Sequence, residues 1–291
     1  MTTGLRLERL VDVDAFQAAA GAFLVAREAE HNLMLGLCSN LRTRPYGPVP
    51  PYFAVVLRGD DVVAAAMRTP PFQAVLSSID DQAAIPLLVE DLLVTYPDLS
   101  GVLARTDDAR RFAELWRKQA GSTTRLKTSE RIFRCTEVDP PRPVSGRLRD
   151  ATRPDRDTVA VWLGAFALEA LGETADAAQT RTMADRWLEA RERRLFLWED
   201  DARPVSLVGV SGETPNGIRV APVYTPPELR GRGYASACVA AVTQAQFDRG
   251  RRFCFLFTDL ANPTSNKIYQ AVGYEPVCDV DEYRFEARPA H

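Results

Sequence analysis

The 291-residue sequence predicts an α/β protein in which one unit of strands and helices occurs twice. Similar patterns recur in the same order in both halves, and a Pro-rich segment separates the halves. In the second half, an apolar run is followed by a glycine turn and then by a helical pattern. A chain of this length can form two domains, each with its own hydrophobic core.

The repeat begins with the first residues of each half. Leu5-Arg6 is followed by the acidic segment 12–14, and Leu148-Arg149 by the acidic segment 155–157, each before a helical pattern. Several matches in one order indicate a duplicated unit. The further matching pairs are the predicted hairpins over residues 52–67 and 195–210, Gly121 and Gly273, Glu130 and Glu282, and Phe133 and Phe285.

The segment between the halves, residues 139–146, contains three prolines within four positions. Proline fixes φ and lacks an N–H donor, so neither a helix nor a strand is expected there. We therefore predict domains over residues 1–138 and 147–291, joined by an extended connector.

Composition and charge exclude several classes of function. The net charge is −3 with 26% charged residues, which argues against a nucleic-acid-binding surface. No stretch approaches 18 consecutive apolar residues, and the first residues show no export signal, so we expect no membrane association.

The cysteines and histidines exclude other kinds of site. Five widely spaced cysteines without a Cys-x-x-Cys pair indicate free thiols in a reducing cytoplasm. The two histidines, His31 and His291, offer almost no material for a metal site or for a histidine base, so no metal is expected.

The most informative stretch predicts an anion-binding turn. The strand-like run 218–224 ends at Pro226-Pro227, and Arg230-Gly231-Arg232-Gly233 precedes a helical pattern from Tyr234 to Arg249. Glycines let the backbone approach a ligand, and the free N–H groups of a first helical turn attract negative charge. The turn is not an NTPase loop, because no Gly-Lys-Ser/Thr follows, and it lacks the third glycine of a dinucleotide fingerprint.

A second pattern follows about thirty residues later. The strand-like run 253–258 precedes a short predicted helix, with Asn262 as its N-cap, Pro263 at its first position and Gly273 as its stop. Helical spacing separates two stripes. The predicted core face contains Thr264, Ile268, Ala271 and Val272, and the other stripe contains Asn262, Asn266 and Tyr269.

Together the two patterns resemble the GNAT N-acetyltransferase superfamily over roughly residues 148–286. Arg230, Gly233 and Ala235 fill the pattern Arg/Gln-x-x-Gly-x-Gly/Ala of the loop that holds the diphosphate of acetyl-CoA. The stretch from Asn262 through Tyr269 to Tyr274 is similar to the motif that follows that loop. The resemblance implies two tandem domains, each a mixed, splayed β-sheet flanked by helices.

The resemblance also implies roles for individual residues. Acetyl-CoA would be bound by the loop of Arg230, Gly231, Arg232, Gly233, Tyr234 and Ala235, by the main chain of Val223 and Tyr224, and by Asn262 and Asn266. Tyr269 would be the general acid for the leaving thiolate, whose pKa as a free thiol is about 8.5. The acceptor would be a small-molecule or peptide amine, bound near the predicted helices 162–173 and 176–191.

The sequence departs from the family in one respect. Many members carry a glutamate base on the strand before the loop, whereas residues 218–224 contain no carboxylate. Glu213, Glu228 and Asp259 are near in sequence, but each is equally explained as a solvated loop acid. Three alternatives stay open: an N-acetyltransferase, a mycothiol-synthase-like tandem acetyltransferase, and a non-catalytic acyl-CoA-binding or regulatory module.

The N-terminal half is predicted to be a degenerate copy that binds no CoA. No glycine occurs between Gly59 and Gly101, and Asp80-Asp81 lies where the diphosphate loop should fall. The counterpart of Tyr269 is Arg117 or Trp116, and neither has a phenol. Oligomeric state and acceptor identity are not indicated by any pattern.

Overall fold

The computed structural model describes residues 4–43, 48–190 and 192–286. Both halves have the same order of elements, and this confirms the predicted duplication. The first copy comprises β1 (Leu5–Arg9), α1 (Val13–Ala26), α2 (Asn32–Thr43), β2 (Tyr52–Arg58), β3 (Asp61–Arg68), β4 (Ala74–Leu76), α3 (Ala84–Thr95), β5 (Gly101–Arg105), α4 (Thr106–Ala120) and β6 (Thr123–Cys135). The second comprises β7 (Arg147–Asp150), α5 (Arg156–Phe166), α6 (Ala177–Glu189), β8 (Arg193–Asp200), β9 (Arg203–Glu213), β10 (Gly217–Tyr224), α7 (Tyr234–Phe247), β11 (Phe253–Asp259), α8 (Pro263–Ala271) and β12 (Tyr274–Glu286).

The chain forms two compact units, Met1–Ile132 with Val277–His291, and Phe133–Pro276. Their bounds differ from the predicted domains 1–138 and 147–291, because the last strand of each half contributes to both units. Residues 1–3 and 287–291 of the predicted domains lie outside the described ranges.

In the first unit the strands follow the order β1-β2-β3-β4-β5 and end with the later part of β12. Val280–Arg284 pairs antiparallel with Gly101–Arg105, while β4 and β5 are parallel. Alternate residues of β2 enter cores on opposite faces, as the pleat requires. Ala54 and Val56 pack with α3 and α4, and Phe53 and Val55 pack with α1 and α2.

In the second unit the strands follow the order β7-β8-β9-β10-β11. The pairs β7–β8, β8–β9 and β9–β10 are antiparallel, and β10–β11 is parallel. One core lies between the sheet and α5 and α6, and the other lies against α7 and α8. Phe133 and Cys135 at the end of β6 pack in the second of these cores.

The predicted acceptor helices differ from the observed ones at their ends. The first starts at Arg156, not 162, because Thr152 and Asp155 form a capping box just before it. It continues into a π-helical segment, Ala167–Leu171, and ends at Gly172 in the left-handed conformation. The second starts after Asp176, which caps it by accepting hydrogen bonds from the N–H groups of Ala178 and Gln179.

Two further findings concern membrane-spanning helices and metal-binding groups. Within the described ranges, no helix combines the length and apolarity needed to cross a membrane. In the same part of the chain, no group of three His, Cys, Asp or Glu side chains is arranged to hold a metal ion.

Candidate active site

The strands β10 and β11 diverge after a short region of pairing. Gly217–Arg219 pairs with Phe253–Phe255, but the described residues beyond them in the two strands do not pair with each other. On its other side β10 stays paired with β9 as far as Tyr224, with a shift of register between Val220 and Val223. The β10 edge at Val223 and Tyr224 is therefore open toward β11 and offers unpaired backbone groups.

Side chains on both faces of the sheet fix the end of β10. Tyr224 is buried, with its ring centroid 6.2 Å from that of Trp162 on α5, whereas Val223 packs toward the α7–α8 core. The Ser206 hydroxyl donates to the Tyr224 carbonyl at 3.2 Å and lies 2.9 Å from Thr225 Oγ1. The open edge is thus held between two packed faces.

The glycine turn leads directly into α7. Gly231 and Gly233 have φ of 76° and 85°, a backbone conformation that glycine adopts without strain, and both are exposed. The first helical hydrogen bond joins Ala237 N to Gly233 O at 3.0 Å, so the N–H groups of residues 234–236, Ala235 among them, have no carbonyl partner within the helix. Such a turn can accept a diphosphate.

Gly233 is also restricted by its surroundings. A Cβ atom at this position would lie 2.9 Å from Cγ1 of Val144, in the Pro-rich segment. A larger residue would therefore need both a strained φ and a displacement of that segment.

The side chains of Arg230, Arg232 and Tyr234 in this turn make different contacts. Arg230 donates through Nε to the Thr225 carbonyl at 2.9 Å and through Nη2 to Glu169 Oε2 at 2.6 Å. Tyr234 donates through its hydroxyl to Asp200 Oδ2 at 2.5 Å. Both side chains anchor the turn, whereas the exposed Arg232 donates to the Glu228 carbonyl at 3.2 Å.

Asn262 and Asn266 join the end of β11 to the start of α8. Asn262 Oδ1 accepts from the Ser265 N–H at 3.1 Å, which confirms the predicted N-cap. Asn266 Oδ1 accepts from Thr258 Oγ1 at 2.7 Å, and its Nδ2 donates to the carbonyls of Asp259 and Asn262. Both amides therefore organise the backbone on this side of the β10–β11 gap.

The predicted core face of α8 is wrong in part. Thr264 and Ala271 are exposed, Ile268 is half-buried and Val272 is buried, while Tyr269 from the other stripe is the buried residue of the helix. The physical reason is the size of the ring: burying the large apolar surface of Tyr269 turns its stripe toward the sheet.

Tyr269 has a packed ring and an unbonded hydroxyl. Its side chain is 9% exposed, and its ring meets Tyr274 edge-on with centroids 6.0 Å apart. No hydrogen bond joins its hydroxyl to another residue in the described part of the chain. Burial raises the pKa of Tyr269 to about 12, so the phenol is protonated at neutral pH and can donate.

Of the three acids that lie near β10 in sequence, two are engaged in other contacts and one is exposed. Glu213 forms a close ion pair with Arg251, and Asp259 Oδ1 accepts from the Ala261 N–H at 2.7 Å. Glu228 is exposed in the turn before Arg230. Sequence reasoning did not predict the hydrogen bonds of Glu169, Ser206, Thr258 and Asp200, because these bonds form between different elements of the fold and no local pattern marks them.

Comparison with known proteins identifies the fold. The model of the acetyltransferase (GNAT) family matches residues 163–274, which include the glycine turn and Tyr269. No significant match is found among curated proteins.

Three solved structures are similar along nearly the whole chain. A Drosophila protein is 14% identical with a TM-score of 0.68, covering 96% of this chain and 98% of its own. A GCN5-related N-acetyltransferase from Sphaerobacter thermophilus is 17% identical with a TM-score of 0.61, covering 100% and 98%. A tandem GNAT protein from the clavulanic acid biosynthesis pathway is 17% identical with a TM-score of 0.60, covering 98% and 100%. At these identities the likeness concerns the fold, which is the two-domain GNAT fold.

Proposed function

We propose that the second unit, which contains the residues that match the acetyltransferase (GNAT) family model, transfers an acetyl group from acetyl-CoA to a primary amine. One observation carries the proposal. The open edge of β10 ends beside the glycine turn that starts α7, so backbone groups for a thioester arm and for a diphosphate adjoin each other.

Backbone groups would make most of the contacts with acetyl-CoA. The amides of Gly231, Gly233 and the first turn of α7 would hold the diphosphate, and Arg232 supplies the nearest cation without an ion-pair partner among the described residues. The open edge at Val223 and Tyr224 would pair with the amide-containing pantetheine arm. Arg230, Asn262 and Asn266 would act by holding the shape of the turn and of the α8 start.

The transfer itself is a direct attack. The amine nitrogen forms a bond to the thioester carbonyl carbon, the C–S bond breaks, and the sulfur leaves as a thiolate. The Tyr269 hydroxyl would donate a hydrogen bond to that sulfur. With a pKa of about 12 against about 8.5 for the thiol, full proton transfer is uphill by about 5 kcal/mol. Tyr269 would therefore stabilise the developing thiolate by a hydrogen bond before it acts as an acid.

No side chain is assigned as the base that removes a proton from the acceptor amine. No carboxylate occurs in β10, so the proton of an ammonium substrate would pass to water. An amine with a pKa of about 10.4 is mostly protonated at neutral pH, so the rate would rise with pH. A less basic amine, such as an α-amine with a pKa near 8, suits this site better.

Two other functions remain candidates. The missing carboxylate on β10 favours a module that binds acyl-CoA without turnover. The tandem architecture also agrees with a mycothiol-synthase-like enzyme, in which the acceptor would be a cysteinyl amine. Both candidates predict acetyl-CoA binding at the glycine turn, so only turnover separates them.

The deciding experiment is a thiol-release assay with acetyl-CoA and a panel of amines that includes lysine derivatives, peptide N-termini and cysteinyl amines. Thiol release with at least one amine, together with an acetylated product of matching mass, supports the enzyme. Tight acetyl-CoA binding without release for any amine would favour the non-catalytic module. Absence of binding would refute all three.

A further inference from the structure

A cavity of about 340 Å³ lies at the end of α7 opposite the glycine turn. It is enclosed by the starts of β8 and β10, the end of β9 and the residues that follow α7. Because α7 has 14 residues, its two ends are about 21 Å apart. The cavity is therefore separate from the proposed donor site.

The lining of this cavity is strongly positive. Five arginines contribute to it, Arg193, Arg194, Arg249, Arg251 and Arg252, against the two glutamates Glu192 and Glu213. With Asp150, which accepts a hydrogen bond from Arg194, the excess is two positive charges. The partial negative charge of a helix C-terminus, about half a unit, offsets only a fraction of this excess.

The arginines are not all neutralised by ion pairs. Arg251 is paired with Glu213, and Arg194 donates through Nη2 to Asp150 Oδ1 at 2.6 Å. Arg193, Arg249 and Arg252 have no ion-pair partner within the described ranges. Burial, and then the charge of Arg194, lowers the pKa of Arg249, as expected for a cation close to another cation.

Aromatic rings hold the unpaired cations in place. The guanidinium carbons of Arg194 and Arg249 lie 5.1 and 5.8 Å from the centroid of the Phe196 ring, and that of Arg252 lies 5.3 Å from Phe253. The guanidinium of Arg193 is directed elsewhere: its carbon lies 5.1 Å from the centroid of the Trp187 ring, in the core on the α5–α6 side of the sheet, so Arg193 is not counted among the donors of the cavity. Guanidinium groups held in this way have lost part of their freedom before a ligand arrives.

We propose that this cavity binds a small, multiply charged oxyanion. A structural cluster would be expected to pair each guanidinium with a carboxylate, whereas here Arg249 and Arg252 have no carboxylate partner among the described residues. The planar fork of arginine matches the oxygens of phosphate and carboxylate groups, and charge-assisted bonds of this kind are among the strongest that side chains make. The volume fits a pyrophosphate or a tricarboxylate, and the site is independent of the glycine turn.

The test is calorimetric titration of the intact chain with pyrophosphate and, separately, with citrate. Saturating CoA is present to occupy the glycine turn. We expect saturable binding with one site per chain at about 0.15 M salt. The double variant Arg249→Gln/Arg252→Gln should raise the Kd at least tenfold, because each lost charge-assisted bond is worth more than a factor of ten. The control Arg181→Gln/Arg203→Gln removes the same charge at exposed positions outside the cavity and should change the Kd less than about twofold.

The outcomes are distinct. Binding of pyrophosphate alone identifies a phosphate ligand, and binding of citrate as well identifies the broader oxyanion class. Equal loss in both double variants, no saturable binding, or binding that occurs only when CoA is left out would overturn the proposal. Circular dichroism confirms folding, and unchanged CoA affinity of Arg249→Gln/Arg252→Gln separates this site from the proposed donor site.

Discussion

At the scale of single residues, two buried tyrosines of the α7–α8 core differ in the hydrogen bonding of their hydroxyls. Tyr274 is fully enclosed, and its hydroxyl lies 2.7 Å from Thr243 Oγ1. Tyr269 shares the same core, but its hydroxyl has no partner among the described residues. The first hydroxyl is satisfied within the fold, whereas the second is available for a ligand.

Replacing these tyrosines by phenylalanine tests that difference. Tyr269→Phe keeps the ring and removes only the donor, so kcat should fall by roughly 10²–10⁴ while the melting temperature and acetyl-CoA affinity stay nearly unchanged. Tyr274→Phe is the matched control. It removes a buried hydrogen bond and should lower stability by about 1 kcal/mol with turnover per folded molecule preserved. Thermal unfolding and steady-state kinetics on both variants measure the effect, and normal turnover in Tyr269→Phe would assign that residue to packing alone.

The residue types of the site could be predicted from the sequence, but their contacts could not. Glycines before a helix and an Asn-Pro helix start are local signals, and both lie where the patterns indicated. The anchoring of Arg230 by Glu169 spans 61 residues, and that of Tyr234 by Asp200 spans 34. Partners so far apart meet only when the tertiary structure forms, so periodicity does not reveal them.

At the scale of elements, the geometry of the turn before α7 depends on one glycine more than on the other. Gly231 has open space at its Cβ position, whereas Gly233 has both a positive φ and the Val144 contact. A side chain at Gly233 would therefore move the backbone whose N–H groups are proposed to bind the diphosphate.

We expect Gly233→Val to raise the Kd for acetyl-CoA well over tenfold, because several amide contacts depend on this backbone path. The control is Gly121→Val, which places the same side chain at a similar φ of 66° at the end of α4, with open space around it. It should cost stability of the same order but leave acetyl-CoA affinity unchanged. Calorimetric titration of both variants measures the two affinities, and equal affinities would contradict the proposed donor site.

At the scale of the whole molecule, the duplication was predictable and the pairing of the last strands was not. Matching residue types occur at regular offsets in the two halves, and each copy forms its strands and helices in the expected order. The pairing of Val280–Arg284 with β5 depends on which edge is free in three dimensions. An alternating pattern specifies the buried face of a strand but not its neighbour.

Because the thiols are buried, the free energy of unfolding should decrease as pH rises in the alkaline range. Burial raises the pKa of the Cys38 thiol from 9.0 to about 12 and that of Cys135 to about 11. The thiols of the unfolded chain ionise first, so the contribution of each group is complete below about pH 8.5 and is lost as pH rises toward the folded-state pKa. Each fully buried thiol then costs about 1.4 kcal/mol of stability per pH unit.

Urea unfolding at pH 7, 8, 9 and 10 should therefore show a stability that is level up to about pH 8.5 and then decreases. Cys135→Ala removes one titrating group and should reduce the slope above pH 9, apart from a constant cost for the lost side chain. A stability that does not change through pH 10 would show that these thiols are hydrated in the folded chain.

The first unit has the elements of the second without its anion-binding features. Between β4 and α3, Asp81 Oδ1 accepts from the Ala83 N–H at 3.0 Å, so the start of α3 already carries its own carboxylate. Asp80 Oδ2 accepts from Arg27 Nη2 at 2.8 Å. Trp116, one candidate counterpart of Tyr269, is buried and stacked on Phe285 with centroids 5.2 Å apart, and Arg117 is exposed.

These features predict that acetyl-CoA binds once per chain. The two carboxylates where the diphosphate would lie are already held in ion pairs, Asp80 with Arg27 and Asp81 with Arg58, so a bound anion would have to displace them. Calorimetric titration of the wild-type chain should give a stoichiometry of one, and in Gly233→Val the single isotherm should weaken as a whole. Replacing Asp80 and Asp81 by asparagine tests the cause. If charge alone excluded the cofactor, this variant would gain weak binding, whereas an unchanged stoichiometry would assign the exclusion to the missing glycines. A residual tight site in Gly233→Val would place acetyl-CoA in the first unit and refute the single-site prediction.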